Sequence, residues 1–245
     1  MTLADALRRV GTIRGWDWSG SRTRVGDFGW NYVDVVREHR EGRGRCLDVG
    51  TGGGEVFSKI ERPGDVALDI SLERLAVAKE RLGSHVVAGD HDALPFPDDS
   101  FDVVTDRHVG VPPPEVMRVL RPGGAYVAQH PGSHICQSIF DAFGWGSNGE
   151  FWQRVFAEEG RPFWNIAACA RAYQEAGWTI VRRDEAYVEQ EFLDEESLAF
   201  WLLNAPLPEK VDPDEHAHIL GSLSLTTNWH SELLVVRSPD RWRDT

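Results

Sequence analysis

Arg45-Cys46-Leu47-Asp48-Val49-Gly50-Thr51-Gly52-Gly53-Gly54-Glu55 runs from apolar residues into an acid and then a glycine-rich turn, ahead of the amphipathic Val56-Phe57-Ser58-Lys59-Ile60. That order predicts a buried strand, a tight turn and a helix start, the entrance to a nucleotide-type pocket. Glycines at 50 and 52 let the main chain approach a ligand where a Cβ would block it. A dinucleotide fingerprint wants a third Gly or Ala where the helix packs on the strand. Counted from Gly50 that position is Glu55, and counted from Gly52 it is Phe57. Asp48 stands instead two residues before the first glycine. A carboxylate there suits a ligand bearing an ammonium group and repels a pyrophosphate. Taken alone, the motif also reads as the glycines of an ordinary structural turn.

Further acids arrive in order. Val66-Ala67-Leu68-Asp69-Ile70 predicts a second strand ending in an acid, 21 residues after Asp48. An acid at about that distance suits the two hydroxyls of a ribose. Val86-Val87-Ala88-Gly89-Asp90 predicts a third strand, whose Asp90 can accept from an adenine amino group. An ammonium, a ribose and an adenine without a phosphate describe S-adenosylmethionine. Then come Leu94-Pro95-Phe96-Pro97-Asp98-Asp99-Ser100-Phe101-Asp102-Val103-Val104 and Arg118-Val119-Leu120-Arg121-Pro122-Gly123-Gly124. With these four ordered motifs over residues 45–130, the chain resembles the class I S-adenosylmethionine-dependent methyltransferases. Within them it is similar to a subgroup whose first motif reads Leu-Asp-x-Gly-Thr-Gly-Gly-Gly-Glu.

The alternation of strand and helix over 44–130 predicts an α/β fold. The resemblance implies a doubly wound, mostly parallel, seven-stranded Rossmann-like sheet with helices on both faces. Ser71 caps the helix after the second strand, Leu72, Leu75, Ala78 and Leu82 form its buried stripe, and Gly83 ends it. The fourth strand is expected at Phe101–Thr105, the fifth at Ala125–Gln129, the sixth at Trp178–Arg182 and the seventh at Ser231–Val236. Residues 1–245 are expected to form one methyltransferase domain: a cover over 1–40, a cofactor-binding core over 44–130, and aromatic lid insertions at 133–164 and 190–222. For 133–164 two readings stand: walls of an apolar acceptor pocket, or a satellite core under a long connection.

A formal net charge of −13 argues against a large phosphate-binding surface. Arg8, Arg9, Arg14, Arg22 and Arg24 do interleave with Trp16, Trp18, Phe28 and Trp30, the one stretch that suggests nucleic acid, but acids dilute it. Three cysteines without metal spacing read as reduced thiols in a cytoplasmic protein. No apolar run is long enough for a membrane span, and no signal-peptide core is evident. No metal site is expected.

The resemblance assigns roles residue by residue. Asp48, Gly50, Thr51 and Gly52 would line the methionine portion, Asp69 the ribose and Ile70 the adenine face. Asp90, with the main chain of His91, would read the adenine edge. Tyr32 and Arg107 would approach the methionine carboxylate. A packed tyrosine and a solvated arginine are the alternatives. The expected catalytic residues are His108, as first choice for a general base, and His130. Both follow strands whose ends flank the methyl position. Three function classes stay open: methyl transfer to a small molecule (a natural product among the candidates) with S-adenosylhomocysteine as product, RNA methylation, and cofactor binding without transfer. The expected partner is a small-molecule acceptor rather than nucleic acid or membrane, with the protein a monomer or homodimer.

Overall fold

The computed structural model describes residues 1–83 and 85–240; the predicted solvated tail over 241–245 lies outside them. The strands are β1 (Thr23–Val25), β2 (Cys46–Val49), β3 (Val66–Asp69), β4 (His85–Ala88), β5 (Phe101–Arg107), β6 (Leu120–Pro131), β7 (Thr179–Phe192) and β8 (Thr226–Arg237). Their order in the sheet is β1-β7-β8-β6-β5-β2-β3-β4. The sheet thus has eight strands, not seven. The addition is β1, which pairs antiparallel with Gln190–Phe192 at the far edge.

The described residues divide into two compact units: 29–130, 163–185 and from 232 onward in one, and 1–28, 131–162 and 186–231 in the other. In the first, β4, β3, β2, β5 and β6 pair parallel, with Asp48 opposite Thr105, Val49 opposite Asp106 and Arg107 opposite Gln129. Every residue of β2 and β3 is buried, as expected of strands covered on both faces. At the other end of β6, Ser238 N donates to Gly124 O, so β8 runs against it. The helices here are α2 (Tyr32–Arg40), α3 (Leu72–Arg81), α4 (Pro113–Val119) and α7 (Ile166–Glu175). Asn31 and Ser71 accept from the main chain of Asp34 and Arg74 to cap α2 and α3, and Pro113 opens α4 where its missing N–H costs nothing. Two buried clusters fill the faces of this part of the sheet, one around Leu47, Phe101, Tyr126 and Tyr173, the other around Tyr32, Phe57, Ala67 and Val127.

The second unit holds α1 (Leu3–Leu7), α5 (Gln137–Phe143), α6 (Asn148–Glu158), α8 (Glu195–Asn204) and α9 (Ala217–Leu220). One cluster gathers Leu3, Leu7, Ile139, Phe192, Leu198 and Trp201, with Phe143 and Trp145 packed against it.

Four local expectations change. The sixth strand runs on from Thr179 to Phe192, so the predicted insertion at 190–222 begins inside a strand. Its alternation of exposed and half-buried residues kept it from reading as a buried run. The expected fourth and fifth strands, now β5 and β6, also reach further, to Arg107 and Pro131. Val56–Ile60 is one 3₁₀ turn over Phe57–Lys59 rather than a helix start, since Pro63 and Gly64 cut the segment off within a turn. Leu72, the first residue of α3, is 73% exposed while Leu75 and Ala78 are buried.

Candidate active site

The glycine turn after β2 is held from β3. Gly50 N and Thr51 N both donate to Leu68 O, at 2.7 and 2.9 Å. Gly50 and Gly52 sit at φ +69° and +60°, and a Cβ at Gly50 would lie 2.0 Å from Val109 Cγ2. No side chain fits there. Asp69, the last residue of β3, accepts from Gly52 N through Oδ2 and from Ser71 N through Oδ1, each at 2.9 Å. One carboxylate thus ties the turn to the start of α3 and still has lone pairs for a ribose hydroxyl. Ile70 beside it is 66% exposed, an apolar plate at the strand end. Asp90 lies two residues beyond β4 and accepts from Asp92 N at 2.9 Å. The His91 ring lies between the two acids, 3.5 Å from Asp90 Oδ1 and 3.4 Å from Asp92 Oδ1. Among the described residues these three are the only group of metal-capable side chains that close together.

Asp48 is buried at the carboxyl end of β2, and Thr105 Oγ1 donates to its Oδ1 at 2.7 Å. Burial pushes its carboxyl up to about 7, against the pull of the Thr105 hydrogen bond, with Asp106 and Asp69 adding to the rise. Thr51 Oγ1 is close enough to favour the charged form, yet is buried without a well-formed hydrogen bond. Arg107 ends β5 with a largely buried guanidinium, and no hydrogen bond or ion pair within the described residues engages it. Burial lowers its pKa, while Tyr32 and Asp48 partly restore the preference for charge. The Tyr32 hydroxyl donates to Val127 O at 3.4 Å, a long bond from which the O–H can turn to a stronger acceptor. Its pKa is raised by burial and by Asp48 and Asp106, so the phenol is a neutral donor. Trp30 Nε1 donates to Gln129 Oε1 at 3.2 Å.

The histidines part company. His108 has φ +71°, unusual for a side chain with a Cβ, and its main-chain N–H donates to Gln129 O. Its Nε2 is sealed from solvent without a partner, and burial, then the charges of Arg107 and His130, hold its pKa well below the usual range. His130, near the end of β6, brings Nε2 to 3.1 Å from Asp106 Oδ2. Asp106 also accepts from the main-chain N–H groups of Val109, Gly110 and Val111 and from the Tyr126 hydroxyl. Burial works to raise its pKa. The charge and hydrogen bond of His130, with the other donors, hold it well below the usual carboxylate range.

The turn, Asp69 and Ile70 form one ledge, and Asp48, Tyr32 and Arg107 one electrostatic group. Asp90 and His91 stand apart in their own exposed turn. Sequence reasoning missed the roles of Thr105 and Asp106. The signal was the run Val103-Val104-Thr105-Asp106, two polar residues closing a buried stretch, where each must find a partner.

Comparison with known proteins follows the same boundary. Residues 47–128 match a methyltransferase-domain family (Methyltransf_11). The chain is 38% identical to the Geobacter sulfurreducens ubiquinone/menaquinone biosynthesis C-methyltransferase UbiE over 41% of its own length and 48% of that protein. It is 42% identical to the Renibacterium salmoninarum demethylmenaquinone methyltransferase over 36% of its length and 42% of the relative. The chain therefore spans about half the length of the curated relatives it matches. In fold it is similar to the YcgJ protein of Bacillus subtilis (TM-score 0.56, 16% identity, 86% of this chain and 99% of that one). It is also similar to the [4+2]-cyclase SpnF (0.53, 17%, 84% and 79%), so the fold by itself fixes no reaction. Residues 47–128 are thus similar in sequence to a methyltransferase domain, in agreement with the motif order read above.

Proposed function

We propose that the protein transfers a methyl group from S-adenosylmethionine to a small-molecule nucleophile at O, N or C, and that its first motif places it in the Leu-Asp-x-Gly-Thr-Gly-Gly-Gly-Glu subgroup. One observation carries the reading: a buried carboxylate, Asp48, and an unpaired, largely buried guanidinium, Arg107, belong to the same electrostatic group. Two such charges await the two ends of a zwitterion. Asp48 takes the ammonium, Arg107 with the Tyr32 hydroxyl takes the carboxylate, and Gly50, Thr51 and Gly52 admit the chain between. Asp69 holds the ribose, Ile70 lies on the adenine, and Asp90 with the His91 main chain meets the adenine edge. The bound cofactor supplies a sulfonium methyl already activated for displacement. What the chain's own residues must add is alignment in a dry site, worth about 7–11 kcal/mol at best.

A small acceptor fits better than RNA. The net charge is −13, and of the arginines that suggested nucleic acid, Arg8 pairs with Asp214, Arg22 with Asp194 and Arg24 with Glu191. Calorimetry with S-adenosylhomocysteine against 5′-methylthioadenosine, which lacks the amino-acid end, tests the reading. The full ligand should bind at least a hundredfold tighter, and Arg107→Gln should erase most of that difference. Equal affinities would overturn the assignment. Transfer itself is scored by tritium from the labelled methyl donor into a panel of phenols, hydroquinones and amines.

A further inference from the structure

The acceptor's proton needs somewhere to go, and two histidines stand near the ends of adjacent strands β5 and β6. His108 is poorly placed: its Nε2 is sealed and partnerless, and its pKa lies well below the usual range. His130 differs in a way the sequence does not show. Its Nε2 faces Asp106 at 3.1 Å, and its Nδ1 makes no hydrogen bond to any described residue. Asp106 is wholly buried and fixed by three main-chain N–H groups and the Tyr126 hydroxyl, so it cannot turn away. With those four donors aimed at it, its carboxylate is an acceptor toward the ring, and it therefore dictates that a neutral His130 carries its proton on Nε2. The lone pair is left on Nδ1. A carboxylate placed on one ring nitrogen both selects the tautomer and steadies the imidazolium that forms when the other nitrogen takes a proton.

We propose that His130 Nδ1 is the proton acceptor of the reaction and that Asp106 is its positioning residue. The inference rests on the methyl-transfer reading above. As the acceptor's lone pair forms its bond to the methyl carbon, the carbon–sulfur bond breaks and its electron pair stays on sulfur, giving a neutral thioether. The acceptor's hydrogen leaves as a proton to Nδ1, and the imidazolium is held against Asp106. The other ionisable groups facing His130 are His108 after β5 and Glu232 from β8, the latter with its pKa raised by burial and Glu185 and lowered by His130 and Arg183. Asp106 is the only one of these within hydrogen-bond distance of the ring. Gly110, at φ +85°, lies beside the ring: a Cβ there would be in van der Waals contact with His130 Cε1 at 4.0 Å.

Long-range ¹H–¹⁵N correlation on histidine-labelled, ligand-free protein reads the tautomer directly. The expected result is a proton on Nε2 and a bare Nδ1 at the assay pH, with Asp106→Asn losing that single form. An Nδ1–H tautomer, or a ring protonated on both nitrogens throughout the active range, overturns the proposal. His130→Gln keeps a donor for Asp106 but has no basic nitrogen. With an acceptor from the panel, it should lose about 10²–10⁴-fold in turnover and the acidic limb of the pH–rate profile. Its affinity for S-adenosylhomocysteine should stay within about threefold. Undiminished turnover in His130→Gln, or loss of the limb in His108→Gly instead, would sink the dyad while methyl transfer stood. If the wild type bound no S-adenosylhomocysteine, methyl transfer would fall, and with it the role proposed here for His130.

Discussion

A buried acid that titrates near 7 makes cofactor binding sensitive to pH in an unusual direction. Asp48 in the ligand-free protein is half protonated near neutrality, and an ammonium binds only the ionised form. Affinity for S-adenosylhomocysteine should therefore fall about tenfold per unit as pH drops below 7 and level off above it, with proton release visible by calorimetry in two buffers. Thr105→Val removes the hydroxyl that favours the charge, at no cost in volume. A hydrogen bond to a charged group is worth about 1.5–3 kcal/mol, so the midpoint should climb one to two units. Stability moves the other way. Asp48 titrates higher folded than unfolded, so its contribution is complete below about pH 4 and declines as pH rises through about 7. Asp69 offers a second test, since it also holds Gly52 and Ser71. Asp69→Ala should weaken binding by about 1.5–3 kcal/mol and lower the melting temperature as well, whereas Asp69→Asn keeps one of the two acceptor oxygens and should lose affinity with a smaller fall in melting. Equal affinity in both variants would move the ribose contact elsewhere. At this scale the sequence was generous with acids at strand ends and silent about their partners. Thr105 and Asp106 meet their partners through registers across three strands, and no spacing along one chain encodes such a register.

Among the elements, the aromatic stretch 133–164 splits in two. Phe143 stacks on Trp145, the buried Phe140 meets Trp145 edge-on, and Phe143 and Trp145 pack against the cluster of Leu3, Leu198 and Trp201, as in the satellite-core reading. On α6 only Asn148 is buried, while Phe151, Trp152 and Phe156 remain half exposed along one side. If any part of the stretch covers an acceptor, it is this helix. Hydrogen exchange should be fast across α6 and slow across α5 in the free protein, and α6 alone should slow when cofactor product and acceptor are both present. Unchanged exchange in α6 would leave it a plain surface helix. The strands were legible where both faces are buried, as in β2 and β3, because an apolar run bounded by an acid has few other readings. They were under-read where one face meets water: β7 alternates over 14 residues, and only its apolar start resembled a strand.

For the whole molecule, the cofactor half was readable since its four motifs sit in one stretch of chain. The other half is assembled from three separated segments, whose association depends on side-chain packing rather than on any local pattern. That assembly produced the strand the sequence hid. Thr23–Val25 is three residues long, carries Arg24 at its centre, and lies at the sheet's margin against Gln190–Phe192. An uncovered row of main-chain donors and acceptors along a long strand invites pairing with other molecules, and a short, charged outer strand is a known way to discourage it. β1 has the length and the charge of such a strand. Arg24→Val should still show the α/β circular dichroism of the wild type but form soluble oligomers and then precipitate as its concentration rises, visible by light scattering. The cell would see that defect as lost yield, long before it registered as lost chemistry.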